Sequence, residues 1–406
     1  MLNYIRFNYI ILIYKISIQQ LFFKINNYFL SWGDRLKIKI AHCADVHLGG
    51  RNIGAKNAEI KASFFEILDI CQSEMVEFLL VSGDLFDNVN VAKFEVEEII
   101  SKFSQCNFKI IISPGNHDPY TNDSPYCKFT WPDNVIVFKN DYIESIEFQD
   151  KNIRVWGSAF QAAFMQDKLL DNFKILPDNY INIAVLHADL NAAVNSCYCP
   201  ISSNNLSLSG FDYVALGHIH KRSEIAKINQ TNYAYCGCPQ GQDFGETGDK
   251  GFYIGEVDKN YCNLQFKSVC RRRYEIVSLD ISDVQNQEEI INLIEQNLQA
   301  LYGKQYADNY YRIKLIGHIS ADFVLDIEYL QEFLQNTLFK VELADETEVL
   351  ITEQELSMKH DFKSVFAKIM LKKIKNSKNE KERMVNMQAL KIGLMAFNKG
   401  VKYIDN

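Results

Sequence analysis

The chain has 406 residues, enough for two or three domains at roughly 100–200 residues each, and its 47% hydrophobic and 23% charged content is that of an ordinary globular protein. A formal net charge of −8 argues against a broadly basic nucleic-acid binder, although local patches and bound cations still set the field where a ligand docks. Ten cysteines, with neither framework spacing nor a cleavable secretory signal, exclude a disulfide-stapled secreted scaffold and point to a reducing cytoplasm.

Residues 1–35 differ in composition from the rest of the chain. They are rich in Ile, Asn, Tyr, Phe, Leu and Lys, and carry no acidic residue before Asp34. Arg6, Lys15 and Lys24 interrupt the apolar runs, so no stretch reaches the ~18 apolar residues of a transmembrane helix. A basic amphipathic membrane segment is one reading. The preferred one is a non-native or disordered extension: Trp32-Gly33-Asp34-Arg35 can be encoded by a purine-rich ribosome-binding stretch, with translation starting at Leu36.

From Lys37 strands and helices alternate. Ile38–Ala44 reads as a buried strand, 57–76 as a helix, Phe78–Ser82 as a strand and 91–105 as a helix. Lys109–Ser113, Val135–Phe138, Ile153–Gly157, Ile181–His187 and Tyr213–Leu216 are further short β-rich runs. Tyr253–Val257 and Cys262–Val269 suggest a hairpin across Asp258-Lys259-Asn260. This order predicts a layered α/β domain over 36–270, two sheets sandwiched by helices. A small α/β module over 271–350 comes next: strand 274–280, helix 285–302, strand 310–317, helix 324–335 and strand 338–343. His318 stands there without neighbouring ligand types. In the tail, 351–406, Phe362, Val365, Phe366, Ile369 and Met370 keep helical spacing. Met384, Met387, Leu390, Leu394 and Phe397 do so again after a break at Asn376–Asn379. Two amphipathic helices are expected, packing on the body or on a partner. Cys197-x-Cys199 and Cys236-x-Cys238 lack the usual zinc spacing and read as free thiols.

Five pieces punctuate the first domain: Asp45-Val46-His47, Gly83-Asp84, Gly115-Asn116-His117-Asp118, His187 and Gly217-His218-Ile219-His220. Each succeeds an apolar, β-branched run, so each should leave the C-terminal end of a strand. Singly they say little; a lone Gly-Asp is usually a turn, and a lone His usually a satisfied core residue. Together Asp45, His47, Asp84, Asn116, His187, His218 and His220 offer seven mixed O and N donors. That is what two divalent ions about 3.5–4 Å apart require for phosphoester cleavage. The mixture suits manganese, iron or zinc better than calcium. Asp45 and His47, like His218 and His220, are two apart, and on an extended strand end would point the same way. Gly83, Gly115 and Gly217 precede the donors, where a sharp turn or close backbone approach favours glycine.

The series resembles the calcineurin-like metallophosphoesterases. His42-Cys43-Ala44-Asp45-Val46-His47-Leu48-Gly49, Ser82-Gly83-Asp84-Leu85-Phe86-Asp87 and Pro114-Gly115-Asn116-His117-Asp118 are similar to the DNA-repair exonuclease branch, which includes the SbcD and YhaO types. Gly237-Cys238-Pro239-Gln240-Gly241, Phe244-Gly245-Glu246-Thr247-Gly248 and Lys250-Gly251 look most like the YhaO type. The resemblance is strong over 37–270 and weaker beyond.

It implies one metal held by Asp45, His47, Asp84 and His220, and another by Asp84, Asn116, His187 and His218, with Asp84 bridging. A hydroxide between the ions would attack phosphorus in line. His117 would stabilise the transition state or protonate the leaving oxygen, oriented by Asp118. The function implied is that of a Mn²⁺-dependent DNA nuclease subunit in repair, with Fe²⁺ or Zn²⁺ as other metals. It would be a 3′-to-5′ exonuclease with single-strand endonuclease activity as a further expectation. The small module would be a DNA-positioning cap, with Arg271, Arg272 and Arg273 as candidate phosphate contacts. The tail would dock on a coiled-coil ATPase of the SbcC or YhaN kind, the protein would self-dimerise, and it would act in the cytoplasm at the nucleoid. One departure concerns Asp87: some nucleases of the wider family carry a second histidine there, which leaves the exonuclease-to-endonuclease balance open. The alternative is a metallophosphodiesterase for cyclic nucleotides or other small phosphoesters. A scaffolding subunit with a degenerate site is disfavoured because every expected donor is present.

Overall fold

The computed structural model describes residues 37–50, 55–166, 168–192, 196–320, 323–350 and 361–399. The expectations for residues 1–35 and for a start at Leu36 fall outside the described residues. The chain divides into two compact units, one of residues up to 240 together with 250–271, the other of 241–249 together with 272–406.

In the first unit, β1 (Ile38–Cys43), α1 (Ala55–Ser73), β2 (Phe78–Val81), α2 (Lys93–Ser104), β3 (Lys109–Ile112) and β4 (Val135–Val137) come first. Next are β5 (Glu144–Phe148), β6 (Ile153–Gly157), β7 (Ile181–His187), the short pair β8 (Asp189–Leu190) and β9 (Pro200–Ile201), and α3 (Ser203–Ser209). β10 (Tyr213–Gly217), β11 (Ala226–Ile228), β12 (Thr231–Tyr235), β13 (Gly251–Asp258) and β14 (Tyr261–Ser268) complete it. They form two six-stranded sheets, ordered β14-β13-β1-β2-β3-β4 and β11-β12-β10-β7-β6-β5. The mixed α/β architecture of two helix-flanked sheets is the one the pattern of elements predicts.

The central strands β2, β3, β7 and β10 are largely continuous apolar runs because both faces are covered. Ile40, Leu80 and Ile111 face the core shared with Ile183, Val185 and Ala215 of the second sheet. Their neighbours Ala41, Leu79, Ile110 and Ile112 pack outward on Phe64, Ile67, Val96, Ile99 and Phe103 of the two helices. Ala184, Leu186, Val214 and Leu216 cover the far side of the second sheet. Within the first sheet β1 to β4 run parallel, and in the second β6, β7, β10 and β12 do. Their C-terminal ends therefore open onto loops on one side of each sheet, where ligands of open α/β sheets bind.

The second unit contains β15 (Tyr274–Asp280), α4 (Gln287–Tyr302), β16 (Tyr310–Ile316), β17 (His318–Ser320), α5 (Ile327–Leu334), β18 (Lys340–Asp345) and β19 (Glu348–Leu350). β15, β16 and β18 make a parallel sheet, and β17 pairs with β19. Segment 241–249 returns to this unit because Phe244 packs edge-on against Tyr274, with ring centroids 5.2 Å apart. The Arg312 guanidinium lies 4.2 Å above the Phe244 ring.

α6 (Phe362–Lys375) and α7 (Glu380–Lys399) form the expected helical pair. The two sequence stripes split, however. Phe366, Met370, Leu390 and Leu394 meet in a small core with Val349. Phe362, Val365, Ile369, Met384 and Phe397 are exposed. Lys391 holds Asp345 at 2.7 Å and Arg383 holds Glu348 at 3.0 Å, tying the pair to the unit. No helix among the described residues is long and apolar enough to cross a membrane.

Candidate metal centre

Each expected donor lies just beyond a strand or at its end. β1 ends at Cys43 and β10 at Gly217, so neither Asp45-x-His47 nor His218-x-His220 sits on extended backbone. The backbone at Asp45 (φ 52°), His47 (φ 57°), Asp84 (φ 50°) and His218 (φ 96°) is left-handed instead. That corrects the expectation of strand alternation. It is also a signal, because left-handed non-glycine residues cost of order 1 kcal/mol or more and persist where the surroundings force them. Here backbone bonds do so: Asp45 donates to the Gly83 carbonyl at 3.1 Å, and Val46 and His47 donate to that of Asp84 at 2.8 and 3.0 Å.

The glycines act chiefly through close approach. A Cβ on Gly83, which also has φ +86°, would lie 2.1 Å from His187 Nδ1, and one on Gly217 would lie 1.7 Å from the Ser82 carbonyl.

Asp45, His47, Asp84 and His187 are only 1–3% exposed, so their charges and lone pairs need partners inside the protein. Donor atoms of Asp45, His47 and His220 lie within 4.8 Å of one another, as do those of Asp45, Asp84 and His187. Both carboxylates are also aligned by backbone amides from other motifs. His218 N–H meets the two Asp45 oxygens at 3.1 and 3.2 Å, and His117 N–H meets Asp84 Oδ1 at 2.9 Å.

The donors fit a pair of cations. His47 Nε2 and His220 Nε2 face each other at 3.1 Å. Two ligands about 2.0–2.1 Å from one ion stand at about that separation. His187 donates Nδ1–H to the Ser82 carbonyl at 2.9 Å, which turns Nε2 toward Asn116 Oδ1, also at 2.9 Å. With Nδ1–H so committed, Nε2 is the nitrogen left to bind a cation, and the Asn116 side-chain amide stands at the same place. The electrostatics agree. Burial lowers the pKa of His187, but the Asp84 and Asp45 carboxylates outweigh it and lift the ring to about 9. Burial likewise raises Asp84, yet His187, His47 and His117 hold it below the usual carboxylate range. His218 lies at the edge of this group, its ring 5.2 Å from that of His187 and 4.7 Å from that of Tyr198. Burial and the neighbouring His187 push it down to about 4.

His117 is exposed and packs edge-on against His47, with centroids 4.7 Å apart. It also falls within 4.8 Å of donors on His47 and Asp84. Its Nδ1 donates to the Asp87 carbonyl at 2.9 Å. Asp118 does not orient it. The Asp118 carboxylate accepts from Gly115 N at 2.8 Å, Phe86 N at 3.0 Å and Tyr126 OH at 2.6 Å. It clamps the stretch after Gly83-Asp84 to the Gly115-Asn116 loop, and burial raises it to about 6.

Sequence reasoning missed Asp87 as a supporting group: its Oδ1 is 3.3 Å from His47 Nδ1, at an angle short of a hydrogen bond. It also missed Ser82 and Tyr198, whose residue types carry no signal without the fold.

The three arginines are engaged with protein groups. Arg271 pairs with Glu66 at 3.2 Å and Arg273 with Asp249 at 2.5 Å, and the Arg272 guanidinium lies 3.8 Å over Phe339. His318 is exposed at the start of β17. Among the described residues no group of potential metal donors includes two cysteines.

Residues 38–222 match the description of the calcineurin-like phosphoesterase family, and that span contains all seven donors and His117. The chain carries a calcineurin-like metallophosphoesterase domain. Such domains belong to hydrolases of phosphoester bonds. The uncharacterized metallophosphoesterase YhaO of Bacillus subtilis is 28% identical over 280 residues, covering 65% of this chain and 68% of that protein. The DNA double-strand break repair protein Mre11 of Methanocaldococcus jannaschii is 26% identical over 292 residues, covering 65% and 75%. Mre11 of Saccharolobus solfataricus is 25% identical over 282 residues, covering 64% and 71%. About two thirds of the chain is thus similar to proteins named for DNA double-strand break repair and to an uncharacterized metallophosphoesterase.

Proposed function

We propose that this protein is a Mn²⁺-dependent nuclease that hydrolyses DNA phosphodiester bonds in repair, as a 3′-to-5′ exonuclease with single-strand endonuclease activity. The observation that carries the reading is the convergence of donor atoms from Asp45, His47, Asp84, His187 and His220, with Asn116 and His218 beside them.

Asp45, His47, Asp84 and His220 would hold one ion, and Asp84, Asn116, His187 and His218 the other. Bound there, the ions would supply Lewis-acid activation of phosphate and water. His117 has its Nδ1 committed to the Asp87 carbonyl, so Nε2 is the nitrogen left to meet a phosphate or leaving oxygen. Asp118 would act by holding the loop that carries Asn116 and His117, through its bonds to Gly115, Phe86 and Tyr126.

The similarity to proteins named for DNA double-strand break repair supports DNA as substrate. The exposed apolar residues of α6 and α7 support docking on a coiled-coil ATPase of the SbcC or YhaN kind. A homodimer, action in the cytoplasm, and a DNA-positioning role for residues 271–350 belong to the same reading.

The test is digestion of end-labelled linear DNA with Mn²⁺, beside bis-p-nitrophenyl phosphate and cyclic nucleotides. Progressive shortening from 3′ ends is expected. Hydrolysis of the small esters with intact DNA would replace the nuclease reading with that of a small-molecule phosphodiesterase.

A further inference from the structure

A polar seam runs through the apolar core between the two sheets of the first unit, and none of its members is among the seven donors except His187. His42, on β1, is fully buried among the residues shared by the two sheets. Its Nε2 lies 3.2 Å from the Leu216 carbonyl and its Nδ1 lies 2.8 Å from the Tyr213 hydroxyl, both on β10 of the other sheet. A carbonyl only accepts, so Nε2 carries the proton and donates. Nδ1 is then the acceptor, and the Tyr213 hydroxyl donates to it. Both bonds are satisfied by one tautomer of a neutral ring, and burial pushes the His42 pKa down to about 3. Beside them Ser82 Oγ donates to the Ala215 carbonyl at 2.9 Å, and His187 Nδ1 donates to the Ser82 carbonyl.

Burying a polar ring here is costly and adds nothing that an apolar side chain would not supply to the core. What it adds is direction. Apolar contact between two sheets is non-directional and tolerates sliding, whereas paired hydrogen bonds admit one alignment. The donors come from both sides of this seam. Asp45 and His47 follow His42 by three and five residues, and His218 and His220 follow Leu216 by two and four. Ligand sets lose function when displaced by about 0.5 Å or more.

We propose that His42 is a positioning residue: by bonding Leu216 and Tyr213 across the sheets it sets the stagger that brings His218 and His220 to Asp45 and His47. This rests on the metal-centre reading above.

The experiment compares Mn²⁺ affinity by titration calorimetry with the thermal midpoint, in the full chain. Four proteins are used: wild type, His42→Leu, His42→Gln, and Phe64→Leu as a destabilised control in the outer core. The glutamine amide offers one donor and one acceptor with nearly the spacing of the two ring nitrogens. His42→Leu is expected to bind Mn²⁺ about 10–100-fold more weakly, the range for losing a group that orients metal ligands. His42→Gln and Phe64→Leu should stay within about threefold of wild type on the same scale, although Phe64→Leu melts lower. Wild-type affinity in His42→Leu would overturn the proposal, as would equal weakening in Phe64→Leu or no recovery in His42→Gln. Should His42→Leu not fold, Tyr213→Phe takes its place, with a smaller loss expected and unchanged affinity overturning it. Absence of Mn²⁺ binding in the wild type would instead remove the metal-centre reading, and the proposal with it.

Discussion

His117 and His42 show how differently two histidines can serve one site. His117 is exposed, rides over His47, and has only its Nδ1 tied down. Its removal should leave the donors where they are. His117→Ala is expected to lower DNA cleavage by about 10²–10⁴-fold, the usual range for a general acid or a charge-stabilising group, with Mn²⁺ binding unchanged in calorimetry. Cleavage at the wild-type rate would exclude it from the chemistry. His42 is the opposite case, a neutral ring whose folded-state pKa is about 3 against an ordinary 6.5. Below pH 6.5 the unfolded chain takes up a proton that the folded one refuses. Its contribution is therefore complete above pH 6.5 and is lost as the pH falls toward 3, reaching about 2 kcal/mol of loss by pH 5. Urea midpoints in chelator at pH 7 and pH 5 check this: the fall should be smaller by about that amount in His42→Gln. An identical fall in both proteins would mean that the buried ring takes up its proton as readily in the folded as in the unfolded chain. Asp118, expected beside His117, instead spans two loops. A carboxylate one residue along the chain does not face the ring when the backbone amide of Gly115 is the nearer donor.

Strands deliver the donors and loops aim them. β2 and β10 meet where Gly217 lies against the Ser82 carbonyl with no room for a methyl group. Gly217→Ala must push the two strand ends apart. A loss of at least about 1–3 kcal/mol is expected, with weaker Mn²⁺ binding because His218 is the next residue. Wild-type melting in that variant would show that the approach is not tight. The tail helices make a second, contrasting prediction. Leu390 is fully buried against Met370, whereas Phe362 is 86% exposed. Leu390→Ala should cost about 2–5 kcal/mol and Phe362→Ser less than about 0.5 kcal/mol, read as urea midpoints. A Phe362→Ser variant that folds normally but no longer associates with a coiled-coil ATPase would support partner docking; one that destabilises like Leu390→Ala would place Phe362 in the core. Long apolar elements such as β1, β2, β3 and β10 were legible as sequence because both faces are buried. β5 and α3 were not. Glu144–Phe148 has only Ile146 and Phe148 as apolar residues and lies at a sheet edge, and Ser203–Ser209 is a polar helix started by the Ser202 capping box. Neither carries an apolar run.

The molecule has two units, and every expected donor belongs to the first. Binding energy should therefore appear there. Mn²⁺ at about 100 times its dissociation constant adds about 2.7 kcal/mol to the unit that binds it. In scanning calorimetry of the full chain, chelator should lower the transition of the first unit and leave that of the second in place. A shift in neither would contradict metal binding. Residue types and their order sufficed to name the two-sheet class, and they singled out the seven candidate donors and a candidate boundary near residue 270. These rest on hydrogen-bonding capacity, apolar periodicity and turn chemistry, which are local. The return of 241–249 to the second unit, the engagement of Arg271, Arg272 and Arg273, and the left-handed backbone at four donors were decided by contacts between distant segments. So was the part played by His42. A histidine three residues before a ligand has no character of its own until the strand of another sheet brings Leu216 and Tyr213 to its two nitrogens.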